Sequence, residues 1–228
     1  MNPWVQFGSG CGTVPRVVEV AAPRGRIDKR QAILDEAFTV FARRGYAQAG
    51  VKEIAEEARV AKPTVYNHLG DKENLFRQAM TAAADSVSAE TVAVTDRLRE
   101  VSGDLGPVLH DVAHRLLKVC CSDRSRALRA LTYAESASFP ELAELVQERT
   151  SVRLQEALAD RLARLSLSGK LRPCDPSGAA EQFLALLTGP METRSRLGTR
   201  KVPPAQARAV ADAAADTFLR AYGSGPRE

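Results

Sequence analysis

The sequence predicts an all-α protein, with an N-terminal three-helix helix-turn-helix DNA-binding domain and a larger helical ligand-binding and dimerisation domain. Three observations predict this fold class. Apolar residues recur at three- and four-residue steps from residue 27 to residue 222, and no stretch alternates as a half-buried strand does. Aromatic residues make up only 5% of the 228 residues, which favours helices. Residues 51–76 have the pattern of two short helices around a tight turn, followed by a third helix.

Glycine, proline and composition divide the chain into four predicted parts. Residues 1–25 lack any apolar period and are predicted to be a flexible arm. Residues 26–72 form the predicted helix-turn-helix domain, and residues 73–222 form the predicted effector-binding and dimerisation domain. Residues 223–228 are predicted to be a flexible tail.

The N-terminal domain begins with a helix whose apolar positions share one face and which ends at Gly45, a residue suited to the C-terminal end of a helix. The second helix is predicted over Val51–Ala58, the turn over Arg59–Ala61 and the third helix over Lys62–Leu69. Asp71 is predicted to cap a fourth helix that runs to about Glu100.

The rest of the chain has helical spacing in five segments punctuated by glycine and proline. These predicted helices cover residues 105–121, 124–137, 140–168, 176–190 and 203–222.

The third helix carries the groups that a recognition helix needs. Val65 and Leu69 are predicted to face inward, which leaves polar side chains for phosphates and base edges. Residues 24–72 hold ten Lys/Arg and seven Asp/Glu, so +3 of the net charge of +4 lies there. Whether Asn67 reads adenine or only solvates the helix is left open. The predicted DNA-binding residues are Lys62, Pro63, Thr64, Tyr66, Asn67, His68 and Lys72, with Lys52 on the preceding helix.

Lys72 has a further predicted role. It stands at the start of the fourth helix, where backbone amides and the ammonium group together would form an anion site for a phosphate.

This region resembles the TetR family of bacterial transcriptional regulators. The preceding helix, from Ala37-Phe38 to Gly45-Tyr46, also fits the family. The resemblance implies a three-helix DNA-binding domain and a helical effector domain that dimerises. Downstream, Phe139–Leu142 and Ala180–Leu184 resemble the AefR-like C-terminal domain of that family. The residues that carry the DNA-binding resemblance are Ile54-Ala55, Ala58, Val60, Pro63–Tyr66, His68-Leu69, Asp71–Glu73 and Leu75-Phe76.

Two positions depart from the family pattern. The family usually has Ser or Thr before the second helix, where this chain has Ala49-Gly50, so a side-chain cap worth about 1 kcal/mol is missing. The family favours glycine in the turn, where this chain has Arg59. If the turn needs a positive φ, Arg59 is strained, and it adds a cation there.

The effector domain offers residues for a pocket, although the plain core is an equally good explanation of the set. His110 and His114 stand four apart on one helix; metal binding is an alternative for this pair, but no third ligand is evident and no metal is predicted. Cys120 and Cys121 are predicted to pack as small apolar residues rather than to sense oxidants. The predicted ligand-binding residues are His110, His114, Tyr133, Phe139 and Phe183.

The last two predicted helices suit a four-helix dimer interface, with an intramolecular core as the alternative. The predicted interface residues are Phe183, Leu184, Leu187, Val210, Ala214 and Phe218.

These features predict a sequence-specific transcriptional regulator, a ligand-responsive repressor that binds a palindromic DNA operator as a homodimer. No cofactor is predicted, and the effector is an unknown small molecule. The cysteines form no disulfide framework, and no membrane span or secretory signal is visible, so a cytoplasmic setting is predicted. The alternatives are an all-helical enzyme or a protein-binding adaptor without DNA binding.

Overall fold

The computed structural model describes residues 24–99, 101–196 and 200–224, with side-chain packing from residue 29 onward. The N-terminal part consists of α1 (Arg24–Gln48), α2 (Val51–Glu57) and α3 (Lys62–Leu69). Helix α1 is interrupted at Gly45, whose φ of 75° and ψ of 165° are not helical, so the predicted stop at this glycine is observed. Residues 1–23 of the predicted arm lie outside the described residues. Its last two residues, Arg24 and Gly25, belong to α1.

Helix α4 (Lys72–Thr95) connects the two parts of the molecule. Its N-terminus is capped as predicted, because the Asn74 backbone N–H donates to the Asp71 carboxylate at 2.7 Å. A 3-10 turn, Asp96–Leu98, follows directly. The remaining helices are α5 (Leu105–Cys120), α6 (Asp123–Glu135), α7 (Pro140–Gln147), α8 (Arg153–Leu167), α9 (Pro176–Arg194) and α10 (Pro204–Tyr222).

The segment predicted as one helix over residues 140–168 has an irregular centre. A π-helical turn, Glu148–Val152, joins α7 to α8. Arg149 in this turn donates to both carboxylate oxygens of Asp85 on α4, at 2.5 and 2.8 Å. The irregular turn is therefore held against α4 by an ion pair.

The buried apolar side chains form two clusters that α4 connects. The first core combines α1, α2, α3 and the first half of α4 with residues of α6 and α7. The second core combines Leu98 with α5, α8, α9 and α10. Between them, α4 buries the polar Ser88, Thr91 and Thr95; both threonine hydroxyls donate to carbonyls of their own helix. The predicted boundary at residue 72 is therefore not a boundary between cores.

The C-terminal end contacts the segment after α8. The Arg172 N–H donates to the Tyr222 carbonyl at 2.9 Å, Gly223 forms an isolated antiparallel bridge with Leu171, and the Ser224 hydroxyl donates to the Lys170 carbonyl at 3.2 Å. The first two residues of the predicted tail are thus attached, and residues 225–228 lie outside the described part. In the part of the chain that the structure describes, no helix is both long and apolar enough to cross a membrane.

Candidate nucleic-acid interface

The turn between α2 and α3 has the hydrogen bonds of a Schellman motif. The Val60 N–H donates to the Ala55 carbonyl at 2.9 Å, and the Arg59 N–H donates to the Glu56 carbonyl at 3.1 Å. This motif needs a left-handed residue just after the helix, a position that glycine usually fills. Arg59 occupies it with a φ of 54°. The predicted strain at this position is therefore present, and the turn brings Val60 against the first core.

Helix α3 separates buried apolar from accessible polar side chains. Val65 and Leu69 are each 1% exposed and anchor the helix to the core. Tyr66 is 42% exposed, unusually accessible for so large a side chain. The Lys62 ammonium lies 5.6 Å from the centre of the Tyr66 ring. Of the predicted DNA-binding residues on this helix, Lys62, Pro63, Tyr66 and Asn67 are exposed, while Thr64 and His68 are half-buried.

The starts of both helices lack side-chain caps. Gly50 precedes α2 and Ala61 precedes α3, and neither accepts a hydrogen bond from the first turn through a side chain. The cap that the family pattern would supply before α2 is thus absent, as the sequence predicts. The first-turn amides of α3 have no side-chain acceptor at the cap, so solvent or a phosphate can accept from them.

Positive charge is distributed unevenly over this domain. Arg43 donates to Glu53 at 2.8 Å and to Glu57 at 3.0 Å, and its hydrogen bond holds the pKa of Glu53 below the usual value. Lys52, an exposed residue of the predicted DNA-binding set, lies 3.8 Å from Glu56. Arg59 and Lys62, by contrast, have no carboxylate within 4.0 Å among the described residues. Uncompensated positive charge is therefore concentrated at the start of α3.

The ammonium group of Lys72 has partners within the chain that the sequence analysis did not predict. Its ammonium group donates to the Ala47 carbonyl at 3.0 Å and lies 4.9 Å from the centre of the Tyr46 ring. The carboxylate of Asp71 already accepts from the first turn of α4. The ammonium group and one first-turn amide thus have partners within the chain. A phosphate contact by the remaining ammonium protons of Lys72 stays a prediction.

Helices α6 and α7 are attached directly to the DNA-binding domain. Arg124 on α6 donates to Asp35 on α1 at 2.9 Å, and its guanidinium lies 5.3 Å from the centre of the Phe38 ring. The Tyr46 N–H donates to Glu135 at 3.3 Å. Sequence reasoning missed these contacts, because residues about ninety positions apart give no local signal.

An aromatic cluster reinforces this attachment. The ring of Phe139, just before α7, lies 4.9 Å from Tyr46 and 5.3 Å from Phe76, centre to centre. The Arg77 guanidinium lies 4.9 Å from the centre of the Phe139 ring and pairs with Glu141. Phe139 is therefore part of the packing beneath the DNA-binding domain.

The predicted ligand-binding residues do not line a common pocket. His110 and His114 lie on α5 against α10, whereas Tyr133 is 72% exposed on α6. Phe139 belongs to the first core and Phe183 to the second. These residues lie in separate places, and their role in ligand binding stays a prediction, because core and pocket positions use the same residue types. A separate open groove of about 420 Å³ lies between α1 and α4, with Leu34, Gln78 and Asp85 among its lining residues.

The cysteine and histidine pairs have distinct surroundings. Burial raises the pKa of the Cys120 thiol to about 11, and burial also raises the pKa of Cys121, so both thiols are suited to packing rather than to oxidant sensing. His110 and His114 contact Asp212 and Asp216 of α10, acidic partners that the sequence analysis missed. The sequence did contain a signal for this contact, because the two histidines of α5 and the two aspartates of α10 are each spaced four residues apart. Within the described residues, no group of three or more His, Cys, Asp or Glu could hold a metal ion.

Five of the six predicted dimer-interface residues are buried inside a single chain. Phe183 is 0% exposed and contacts Phe218 with a ring-centre distance of 5.0 Å. Leu187, Val210 and Ala214 are also buried, and Leu184 is half-buried. The prediction is wrong for the buried five, because side chains covered by their own chain cannot contact a partner. Small exposed residues lie on the outer faces of the same helices: Ala185, Gly189, Ala205, Ala209 and Ala213.

Two short helices join at a tight turn, and the second, α3, packs on the core through Val65 and Leu69 while its polar side chains stay accessible. This arrangement is typical of the class of helix-turn-helix DNA-binding proteins. Residues 33–79 match the family model of bacterial regulatory proteins of the tetR family. Residues 107–224 match the C-terminal domain of AefR-like transcriptional repressors. The chain belongs to the TetR family and is a DNA-binding transcriptional regulator, so the resemblance seen in the sequence is confirmed.

Similar proteins support the same assignment. The transcriptional repressor AcnR of Corynebacterium efficiens is 30% identical over 168 residues, which is 73% of this chain and 81% of AcnR. A TetR-family regulator from Mesorhizobium loti has a TM-score of 0.80 and 28% identity, covering 86% of this chain and 98% of its own. The flavonoid-responsive regulator FrrA has a TM-score of 0.65 and 26% identity, covering 90% and 100%. All are regulators rather than enzymes, so the alternative of a helical enzyme is excluded.

Proposed function

We propose that the protein is a ligand-responsive repressor that binds a near-palindromic operator as a homodimer. The observation that carries this proposal is the accessible polar face of α3, because Arg59 and Lys62 at its start have no carboxylate within 4.0 Å in the described part of the chain. A recognition helix enters the major groove with its N-terminal residues first, so this end would meet the DNA. Lys62 would bind a phosphate, and Thr64 and Asn67 would approach base edges.

A dimer would present two such helices to successive major grooves. The exposed small residues of α9 and α10 support this part of the proposal, because Ala185 and Gly189 on one helix and Ala209 and Ala213 on the other would let two helix pairs approach closely. These residues replace the buried apolar residues of the two helices as the proposed interface. The family typically acts as dimers with small-molecule effectors, and the cytoplasm is the compartment we propose.

Control by a ligand would use the attachment of α6 and α7. A ligand that moved either helix would act on α1 through Arg124 and on the aromatic cluster through Phe139. It shifts the spacing between the recognition helices only if it binds one arrangement more tightly than the other. FrrA, a protein of similar fold, is flavonoid-responsive, which supports small-molecule control without identifying this effector.

The test is titration of the purified protein with the DNA upstream of its own gene, at two salt concentrations. We expect affinity to fall steeply with salt, because each neutralised phosphate releases counterions. Tyr66→Ala should weaken binding about tenfold, equivalent to about 1.4 kcal/mol, while the protein stays folded.

Tyr133→Ala is the matched control, since Tyr133 is also an exposed tyrosine but lies on α6. It should leave DNA affinity unchanged. Salt-independent binding, or equal losses in the two variants, would contradict the proposal.

A further inference from the structure

Two histidines of α5 and two aspartates of α10 form a connected cluster, which we name the His-Asp clamp. His110 places its Nδ1 3.2 Å from Asp212 Oδ1 and its Nε2 3.0 Å from Asp216 Oδ1. His114 places its Nε2 2.6 Å from the same Asp212 oxygen. The clamp joins two helices of the second core at its surface, with each histidine side chain 30% exposed.

The geometry determines how many protons the clamp needs. An ionised carboxylate can only accept hydrogen bonds, and a neutral imidazole has one N–H and one bare nitrogen. His110 faces a carboxylate oxygen with both nitrogens, so both contacts are hydrogen bonds only when the ring is an imidazolium. His114 needs only one N–H for its single contact. Loss of one proton from His110 would therefore leave a nitrogen lone pair facing a carboxylate.

The charges around the clamp leave it dependent on that proton. Asp212 and Asp216 are the charged groups of α10 that face His110. On α5, Asp111 is engaged by Arg115 and by Arg97 of the 3-10 turn. Among the described residues, including those of α4, α6 and α9, nothing else forms an ion pair with the four clamp residues. Arg208 and Arg220 of α10 each stand four residues from a clamp aspartate but form no ion pair with it among the described residues, so the histidines are the groups that pair with the two carboxylates.

We propose that the His-Asp clamp is a proton-binding site that makes the pairing of α5 with α10 depend on pH. Histidine is the side chain whose charge ordinarily changes between about pH 5 and 8. Both contacts of His110 are hydrogen bonds only while its ring is an imidazolium. A neutral ring would keep one of the two, so the α5–α10 pairing would be weaker without that proton.

The acid side of the clamp has a separate limit. Burial acts to raise the pKa of Asp212, but hydrogen bonds from His110 and His114 outweigh it and hold that pKa below its usual value. The carboxylate therefore stays ionised down to lower pH than a free aspartate, and its contribution is lost only as the pH falls through that lowered pKa. All three contacts of the clamp are therefore hydrogen bonds while His110 is an imidazolium and Asp212 is ionised.

The regulatory consequence rests on the proposed function. Helix α10 carries Ala205, Ala209 and Ala213, the residues proposed to meet the partner subunit. If α5 and α10 paired less tightly at higher pH, the position of α10 at the proposed subunit interface would change. Operator affinity would then depend on pH as well as on the ligand.

The first experiment measures thermal unfolding of the full chain between about pH 5.5 and pH 8.5, and needs no DNA. The wild type should lose about 2 °C more of its melting temperature across this range than His110→Gln, since a partly exposed ion pair contributes modestly. His68→Gln is the matched control, because it removes a histidine of α3 outside the clamp. It should keep the wild-type pH dependence.

Asp216→Asn separates proton binding from simple packing. The asparagine amide can donate to a neutral imidazole nitrogen as well as accept from a protonated one. This variant should therefore gain stability relative to the wild type at the higher pH but not at the lower pH. A purely structural role would change stability equally at both.

Three outcomes would overturn the proposal: a wild-type profile identical to that of His110→Gln, a pH-independent effect of Asp216→Asn, or strong stabilisation by added Zn²⁺ that His110→Gln abolishes. The last would make the cluster a metal site. Operator affinity measured at both pH values in the wild type and in His110→Gln then tests the regulatory step, since only the wild type should change its affinity between them. If DNA binding fails at every pH while the unfolding profile behaves as expected, the proposed function is wrong and the proton site stands.

Discussion

Arg59 shows how a single residue can disagree with the conformation that its position requires. The Schellman hydrogen bonds that end α2 need a left-handed residue, and Arg59 supplies it at a φ of 54°. A side chain with a Cβ costs about 1–2 kcal/mol in this conformation. The turn persists because it brings Val60 against the first core and directs the chain into α3.

We expect Arg59→Gly to raise the free energy of unfolding by roughly 1 kcal/mol, because glycine adopts this φ without steric cost and loses part of the gain to backbone entropy. Urea denaturation measures the change. Arg59→Ala is the control, since it removes the same charge but keeps the Cβ. Equal stabilisation by alanine would show that charge, rather than φ, causes the effect.

The same variant should act on DNA binding in the opposite direction. Arg59 is exposed and has no carboxylate partner within the described residues. Loss of this cation near the start of α3 should lower affinity and reduce the steepness of the salt dependence by about one phosphate contact per half-site. Unchanged salt dependence would place Arg59 outside the DNA contact.

At the scale of elements, α6 supports α1 although it lies outside the three N-terminal helices. Arg124 combines an ion pair to Asp35 with a cation–π contact to Phe38. The pair is only partly buried, with exposed side-chain fractions of 31% and 43%, so its electrostatic part is modest.

We predict that Arg124→Ala destabilises the protein more than Asp35→Ala does, because the alanine also uncovers the Phe38 ring. A double-mutant cycle by urea denaturation should give a coupling free energy of about 0.5–1 kcal/mol between the two positions. Additive effects would show that the ion pair does not connect the helices energetically.

The secondary structure was largely accessible from the sequence. The helices in the described part of the chain have boundary signals in glycine, proline or a capping residue, and α3 is observed over the predicted Lys62–Leu69. The π-helical turn Glu148–Val152 was missed, because an irregular turn barely disturbs the apolar period.

The functional side chains of the effector domain were harder to predict. Phe183 and Phe218 were assigned to a dimer interface but are buried in the second core, because core and interface positions use the same apolar residue types. The partners of His110 lie about a hundred positions away, beyond the reach of local spacing. The DNA-binding face was easier, since polar and apolar positions separate within one short helix.

At the scale of the whole molecule, we expect each of the two cores, rather than each predicted domain, to unfold as a unit. Phe139→Leu removes packing from the first core and Phe183→Leu from the second, each at a cost of about 1 kcal/mol. We expect hydrogen exchange to accelerate in α1–α3 for Phe139→Leu, and in α5, α9 and α10 for Phe183→Leu. Faster exchange in the same helices for both variants would mean that the two cores unfold as one unit.

The aromatic contact between Tyr46, Phe76 and Phe139 limits how modular this regulator can be. A chimaera that joined the first 72 residues to the C-terminal part of another regulator would keep Tyr46 with Phe41 but lose its contacts to Phe76 and Phe139. A successful graft would have to transplant the first half of α4 together with the surfaces of α6 and α7. A substitution on α1, α4 or the segment before α7 would therefore have to be accommodated by the other two, because their aromatic side chains share one contact.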